Sequence, residues 1–295
     1  MTAAPGVFAD LHIHSTASDG VLSPTDLMRR CHEAGLGAVA LTDHDTIDGL
    51  AEAKEAAAVL GLELVPGIEL SCGWGDTDFS LHVLGLFVDP GAACFTKKLA
   101  EQQKSRHVRA MKILDLLEGI GIPVDPLRAQ FRRDTEKVLG RPHIARYLLD
   151  IGVITDFQQA FERYLKRGGP AYVQKLHVLP EEGIEIIHRA GGMAFIAHPG
   201  LKTDWPALWK RIQDLPWDGV EAEYSEHTPE QILMFRQLAS VQHWQVSGGS
   251  DYHGEYGKHV NRLGGAGLTE DAYRSLVCSA RDVRERHFAE GVVHV

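Results

Sequence analysis

A chain of 295 residues that is 44% apolar and 24% charged has core enough for one barrel-sized domain with an insertion, or for two domains. Its net charge of −10 and pI near 5.9 exclude a bulk electrostatic binder of nucleic acid, so any polyanion has to be met by a local basic patch. No apolar run approaches a membrane span, and the opening Met1-Thr2-Ala3-Ala4-Pro5-Gly6 lacks the basic start and apolar core of a secretory leader. The four cysteines (Cys31, Cys72, Cys94 and Cys278) are scattered without a CxxC pair, which points to reduced thiols in the cytoplasm. Histidine is the outlier, at sixteen.

In chain order, Val7-Phe8-Ala9 leads into Asp10-Leu11-His12-Ile13-His14-Ser15, a first strand with Asp19 in the turn behind it. Period-two geometry puts His12 and His14 on one face. Two imidazoles aimed at one point, with a carboxylate nearby, make half a metal site, although a solvated surface strand carries the same pair. Ser23-Pro24-Thr25-Asp26 predicts a helix start, with a stop at Gly35. Ala38-Leu41 is a short buried-type strand ending in Thr42-Asp43-His44-Asp45-Thr46. A helix is expected from about Ile47 to Leu60, then a strand from Glu63 ending in Glu69-Leu70-Ser71. Residues 79–88 read as another strand, carrying His82.

Here the rhythm breaks. Residues 96–118 predict a long helix with Lys97, Lys98, Lys104, Arg106 and Arg109, and 126–167 further helices broken near Gly140-Arg141-Pro142 and Gly152. The stretch is basic and without strand signals, so 97–170 is read as a helical insertion, leaving 1–96 and 171–295 to the α/β domain. The rhythm resumes with a helix from about Pro180 to Ala190 and the strand Met193–Ala197, which delivers His198-Pro199-Gly200. A helix near 205–214, the strand Gly219–Tyr224 and a helix near 229–241 follow. The strand Trp244–Ser247 delivers Ser250-Asp251-Tyr252-His253, and 269–290 is a terminal helix. Repeated βα units argue a parallel sheet or barrel, in which chemistry gathers at the carboxyl ends of the strands.

The candidate ligands fall there: His12, His14 and Asp19, then Asp43 and His44, Glu69, His198, and Asp251 with His253, while His82 adds another source. Imidazoles and carboxylates without thiolate favour Mn²⁺, Fe²⁺ or Zn²⁺ over a structural cysteine site. The set is too large for one ion, so two or three are expected, with Glu69 as the bridge. Clustered divalent ions clamp phosphoryl oxygens, which makes phosphate-ester hydrolysis the expected chemistry.

With those residues in view, the sequence resembles the PHP (polymerase and histidinol phosphatase) family of the amidohydrolase-like superfamily. The resemblance is carried by Asp10–Ser15 with Ser18-Asp19-Gly20, Leu41–Thr46, Pro66-Gly67-Ile68-Glu69, Ala197-His198-Pro199 and Ser250–His253. It implies an α/β fold, a distorted seven-stranded (β/α) barrel, with a trinuclear centre. One metal would take His12, His14, Glu69 and Asp251; a second Glu69, His82 and His198; a third Asp19, His44 and His253. Gly140–Ala145 and Glu226-His227-Thr228 resemble the subgroup of nucleoside 3′,5′-bisphosphate phosphatases related to TrpH proteins, some of which act as 5′→3′ exoribonucleases. One departure is Gly248-Gly249 before Ser250, where a single glycine is expected; it would shift the last loop slightly and leave the ligands in place.

The resemblance implies a manganese-dependent phosphoesterase, with iron or zinc as alternative metals. A metal-bridging hydroxide would attack phosphorus, with Glu69, Asp251 and His198 as the catalytic set and Asp251 accepting the nucleophile's proton. Asp43 would orient its neighbours from behind. A phosphate-rich nucleotide would be held by a basic set that includes Arg106, Arg109, Arg132 and Arg133. Lys104, Arg141, His143, Lys175 and His227 are the residues expected to bind it. Short 5′-phosphorylated RNA and a simple phosphomonoester of the histidinol-phosphate kind are the competing substrates. A non-enzymatic accessory module would lack ligands that this chain has. Neither a membrane nor an obligate protein partner is expected.

Overall fold

Ala9, Leu11 and Ile13 alternate with Asp10 and His12, and this stretch forms a wholly buried strand, β1 (Ala9–Ile13). The computed structural model describes residues 2–74, 80–133, 140–174, 178–202, 204–254 and 262–289. Helix α1 (Pro24–Ala34) starts where the Ser23 side chain accepts the Asp26 N–H and stops at Gly35, whose φ of +84° few other residues adopt cheaply. Strand β2 (Ala38–Leu41), helix α2 (Leu50–Leu60) and strand β3 (Glu63–Gly73) follow. The second helix begins three residues later than the pattern predicts: Asp45 takes a left-handed turn (φ +52°), Ile47 and Leu50 close a turn of their own, and the helix is entered at Gly49, whose carbonyl accepts the Ala53 N–H.

Strand β4 (Ser80–Leu86) runs antiparallel to β3, with Gly73 opposite Ser80 and Glu69 opposite Leu84. A parallel partner would need a crossover of a dozen residues or more, and the six positions between these strands allow the antiparallel pairing instead. The remaining elements are α3 (Ala93–Gly119), α4 (Asp125–Arg133), α5 (Arg141–Asp150), α6 (Phe157–Ala160, continued by a π turn), α7 (Pro180–Arg189), β5 (Met193–Ile196), α8 (Trp205–Ile212), β6 (Gly219–Tyr224), α9 (Pro229–Gln242), β7 (Gln245–Gly249) and α10 (Glu270–Ala289).

The seven strands lie in chain order in one sheet. β4 is antiparallel to both its neighbours, and the other adjacent pairs are parallel. The sheet curls until Ile13 bridges Tyr252, just past β7, so that the ends meet as a nearly closed barrel. Asp10 locks this seam, accepting the backbone N–H groups of Ser250 (2.8 Å) and Gly264 (2.9 Å). The paired glycines belong to β7 and are there for closeness. A Cβ on Gly249 would lie 2.4 Å from the His12 Cβ, and one on Gly248 2.4 Å from the Glu223 Cβ.

Between β4 and α7 the helices build a core of their own, with Leu114, Leu117, Phe131, Ile144 and Leu148 fully buried. Helix α3 belongs to both bodies: Phe95 and Leu99 pack in the barrel core, and Ala110 to Leu117 in the helical one.

Candidate metal centre

β1 carries His12 and hands on to His14 just past its last residue, at the carboxyl end of the barrel, and β3 brings Glu69 to both. His12 Nε2 and His14 Nε2 each lie 3.3 Å from Glu69 Oε2, and 3.4 and 3.1 Å from Asp251 Oδ1. The other Glu69 oxygen, Oε1, meets His82 Nδ1 at 2.7 Å and His198 Nε2 at 2.9 Å. His44 spans two groups, with Nδ1 2.9 Å from Glu69 Oε2 and Nε2 3.9 Å from Asp19 Oδ2. Asp19 Oδ1 lies 3.2 Å from His253 Nε2.

Among the described residues, three groups result in which donor atoms lie within 4.8 Å of one another: His12, His14, Glu69 and Asp251; His44, Glu69 and His82; and His14, Asp19, His44 and His253. Eight of the nine positions read from the sequence fall in these groups; the ninth, His198, stands beside them, its Nε2 2.9 Å from Glu69 Oε1 and 3.3 Å from His82 Nδ1. Within this convergence, His44 reaches the middle group beside His82, and His14 joins the third.

Two of these residues sit in strained backbone. His198 (φ +31°) and Asp251 (φ +54°) are left-handed where their strands end, as is common where a site fixes its side chains. The charges are held unusually too. Burial alone would raise the Glu69 and Asp251 carboxyls, but the imidazoles around them, His44 for Glu69 and His12 for Asp251, hold both below the ordinary range. Burial would lower His253, but Asp19 and Asp251 push it up to about 10. In His82 burial wins and the ring falls to about 3, which keeps it neutral with a lone pair to offer.

The residues fit divalent metal. Buried and without a hydrogen-bond partner are His12 Nε2, both ring nitrogens of His14, Asp19 Oδ1, His44 Nδ1, Glu69 Oε2 and Asp251 Oδ1. A fold rarely buries so many lone pairs together unless a cation satisfies them. Nitrogen and carboxylate oxygen are the donors that Mn²⁺, Fe²⁺ and Zn²⁺ accept.

Asp43 works on the loop beside His44 rather than on the ring itself. It accepts from Ser15 N–H and Oγ–H (both 2.7 Å) and from Ser18 Oγ–H (2.6 Å), which fixes the turn leading to Asp19. Glu221 and Tyr224, both on β6, are contacts that the sequence reading missed. Glu221 lies 2.8 Å from His12 Nδ1, and the Tyr224 hydroxyl donates to Asp251 Oδ2 at 2.9 Å. Residue type alone did not single Glu221 out, because the same strand carries Glu223, which pairs with Arg236 instead.

Beside Asp19, His44 and His82 opens a cavity of about 160 Å³ whose far wall carries Arg106, Arg109, Arg141 and Phe161. Arg106 is paired with Asp45 and donates to Ser71 Oγ (2.8 Å), tying α3 to the barrel mouth. Arg109 donates to the Val173 carbonyl (2.8 Å); burial, with Arg141 and Arg106 close by, pushes it down to about 10. Burial lowers Arg141 as well. The wall is therefore crowded with positive charge.

The other expected substrate residues are dispersed. His143 is not in the wall of this cavity but stands against the Ser18–Asp19 turn; its Nδ1 accepts the Gly140 N–H (3.2 Å), and burial lowers its pKa against the pull of Asp19. Lys104, Arg132 and Arg133 are exposed, and Lys175 lies outside the described residues. His227 does not fit the role expected of it. Its Nδ1 donates to the Ala222 carbonyl (3.0 Å) and its Nε2 accepts the Gly200 N–H (3.0 Å), so the ring braces the loop after His198 and keeps no nitrogen for a substrate.

Fold and site together define a metal-dependent hydrolase built on a (β/α) barrel. The PHP domain profile matches residues 10–120. A "5'-3' exoribonuclease" of Haemophilus influenzae is 41% identical over 249 residues, covering 83% of this chain and 89% of that protein. A "3',5'-nucleoside bisphosphate phosphatase" of Chromobacterium violaceum is 35% identical, covering 89% and 91%. Among solved structures, a candidate metal-dependent phosphoesterase of Bifidobacterium adolescentis superposes with a TM-score of 0.81 at 31% identity, covering 93% and 96%. The chain belongs to the PHP family, and it is a hydrolase of phosphoester bonds.

Proposed function

We propose that the chain removes a phosphate from nucleoside 3′,5′-bisphosphates, for example adenosine 3′,5′-bisphosphate to AMP. The observation that carries the reading is the arginine-walled cavity against the ligand groups. One phosphate would be cleaved over Glu69 while the other is held by Arg109 and Arg141 and kept intact. The identity of the Chromobacterium relative supports this.

His12, His14, Asp19, His44, Glu69, His82, His198, Asp251 and His253 would hold two or three divalent ions, manganese by preference, and the ions would supply Lewis-acid charge and a more acidic water. Asp251, deprotonated and steadied by the Tyr224 hydroxyl at Oδ2, takes the proton of the attacking water. His198 and Glu69 fix the geometry around the reacting phosphate. Residues 97–170 act as the substrate cap on the barrel formed by 1–96 and 171–295. Scattered cysteines without a CxxC pair support a cytoplasmic setting, and no helix among the described residues is long and apolar enough to cross a membrane.

Shortening of 5′-phosphorylated RNA by the same site is the second reading, favoured by the Haemophilus relative. The test incubates Mn²⁺-loaded protein with adenosine 3′,5′-bisphosphate and, separately, with a 5′-phosphorylated oligoribonucleotide. Phosphate release from the bisphosphate is expected to be the faster reaction. Release of mononucleotides from RNA alone would replace this reading with the second, and inertness toward both would remove both substrates.

A further inference from the structure

Glu221 lies wholly buried on β6, yet it is not among the side chains that gather as ligands. Its Oε1 is 2.8 Å from His12 Nδ1, and its Oε2 accepts the His198 backbone N–H at 2.7 Å. His12 faces Glu69 and Asp251 through its other nitrogen, Nε2. A carboxylate oxygen can only accept, so the bond requires a proton on Nδ1, and the neutral ring then carries its lone pair on Nε2, the atom that points into the centre.

The second oxygen acts on backbone. His198 holds φ at +31°, a conformation that costs a non-glycine residue about 1–3 kcal/mol and persists only when its surroundings impose it. The bond to Glu221 is one such constraint, and the resulting turn carries the His198 ring to Glu69 Oε1 at 2.9 Å. The β6 register shifts between Glu221, opposite Ser247, and Glu223, opposite Gly248. Such a bulge re-aims the side chains beside it.

We propose that Glu221 is the positioning residue of the centre: one oxygen sets the His12 tautomer and the other holds the His198 turn, so a single carboxylate outside the ligand shell governs metal affinity through the histidines that meet the two oxygens of Glu69. The inference rests on the metal-centre reading given above.

The test is Glu221→Gln. An amide offers one accepting oxygen and one donating NH₂, so donor must face donor at either His12 or His198. Mn²⁺ affinity is expected to weaken by roughly ten- to a hundredfold, with turnover returning as Mn²⁺ is raised, a rescue that simple structural damage would not show. Wild-type affinity in the variant overturns the proposal. A wild-type protein that binds no divalent ion overturns the metal-centre reading instead. If the variant does not fold, ¹⁵N spectra of the zinc-loaded wild type decide: a proton on His12 Nδ1 is expected, and a proton on Nε2 overturns the proposal.

Discussion

Glu69 faces two ways. One carboxylate oxygen is shared by His12, His14 and His44, and the other by His82 and His198. Glu69→Gln keeps the shape and removes the charge that lets the groups share a side chain. Turnover is expected to fall by more than roughly a hundredfold, the upper end of what even an outer-shell partner costs, with bound metal reduced in parallel. Phosphate release and metal content measure both, and near wild-type values would remove Glu69 as the bridge. Residues of this kind were legible because each lies within or just past an apolar strand, as a polar residue that breaks a run of apolar ones. Glu221 was not, because its partner His12 is 209 positions away and nothing local orders them. His227 misled for the opposite reason: it follows a strand as a ligand would, but the backbone takes both nitrogens.

At the scale of elements, helix α3 and the start of α5 bring their cations to the cavity from different directions. Arg106 is already paired with Asp45, so it serves the docking of α3 more than the ligand. Arg141 is the better probe. Arg141→Ala is expected to raise KM for adenosine 3′,5′-bisphosphate about ten- to a hundredfold, the equivalent of roughly 1.5–3 kcal/mol for hydrogen bonds to a charged group. Hydrolysis of p-nitrophenyl phosphate, which has no second phosphate to hold, should change by less than about twofold. Steady-state kinetics on both substrates checks this, and equal losses on both would put Arg141 on the cleaved phosphate. The insertion's helices were visible from composition, but the sharing of α3 between two cores was not. Phe95 and Ala110 lie on one uninterrupted helix, and only packing divides them.

For the whole molecule, the crowd of imidazoles and carboxylates makes stability depend on pH. His253 is raised from 6.5 to about 10 by Asp19 and Asp251 against the pull of burial. A raised histidine contributes stability fully below pH 6.5 and loses it as pH climbs toward 10. His12 and His44 are raised as well and act in the same direction. Chelator-treated protein is therefore expected to melt at progressively lower temperature from neutral to alkaline pH. With divalent metal present the decline should flatten, because the ion takes the protons' place. Thermal unfolding followed by circular dichroism, with and without chelator, measures this, and a Tm rising with pH in chelator would contradict it.

The hairpin of β3 and β4, the reversed piece of the barrel, also bears on the order in which the molecule assembles. Glu69 and His82 are 13 positions apart, whereas Asp10 closes the barrel on Ser250 across 240. Short loops close in microseconds and at little entropic cost, and long ones wait. The chain should therefore carry a ligand-bearing hairpin while the barrel is still open, and metal has a seed to meet before its full set of donors exists. In pulse-labelled refolding, the amides of Leu70 and Val83 are expected to become protected before those of Leu11 and Ser247, and sooner still when Mn²⁺ is present.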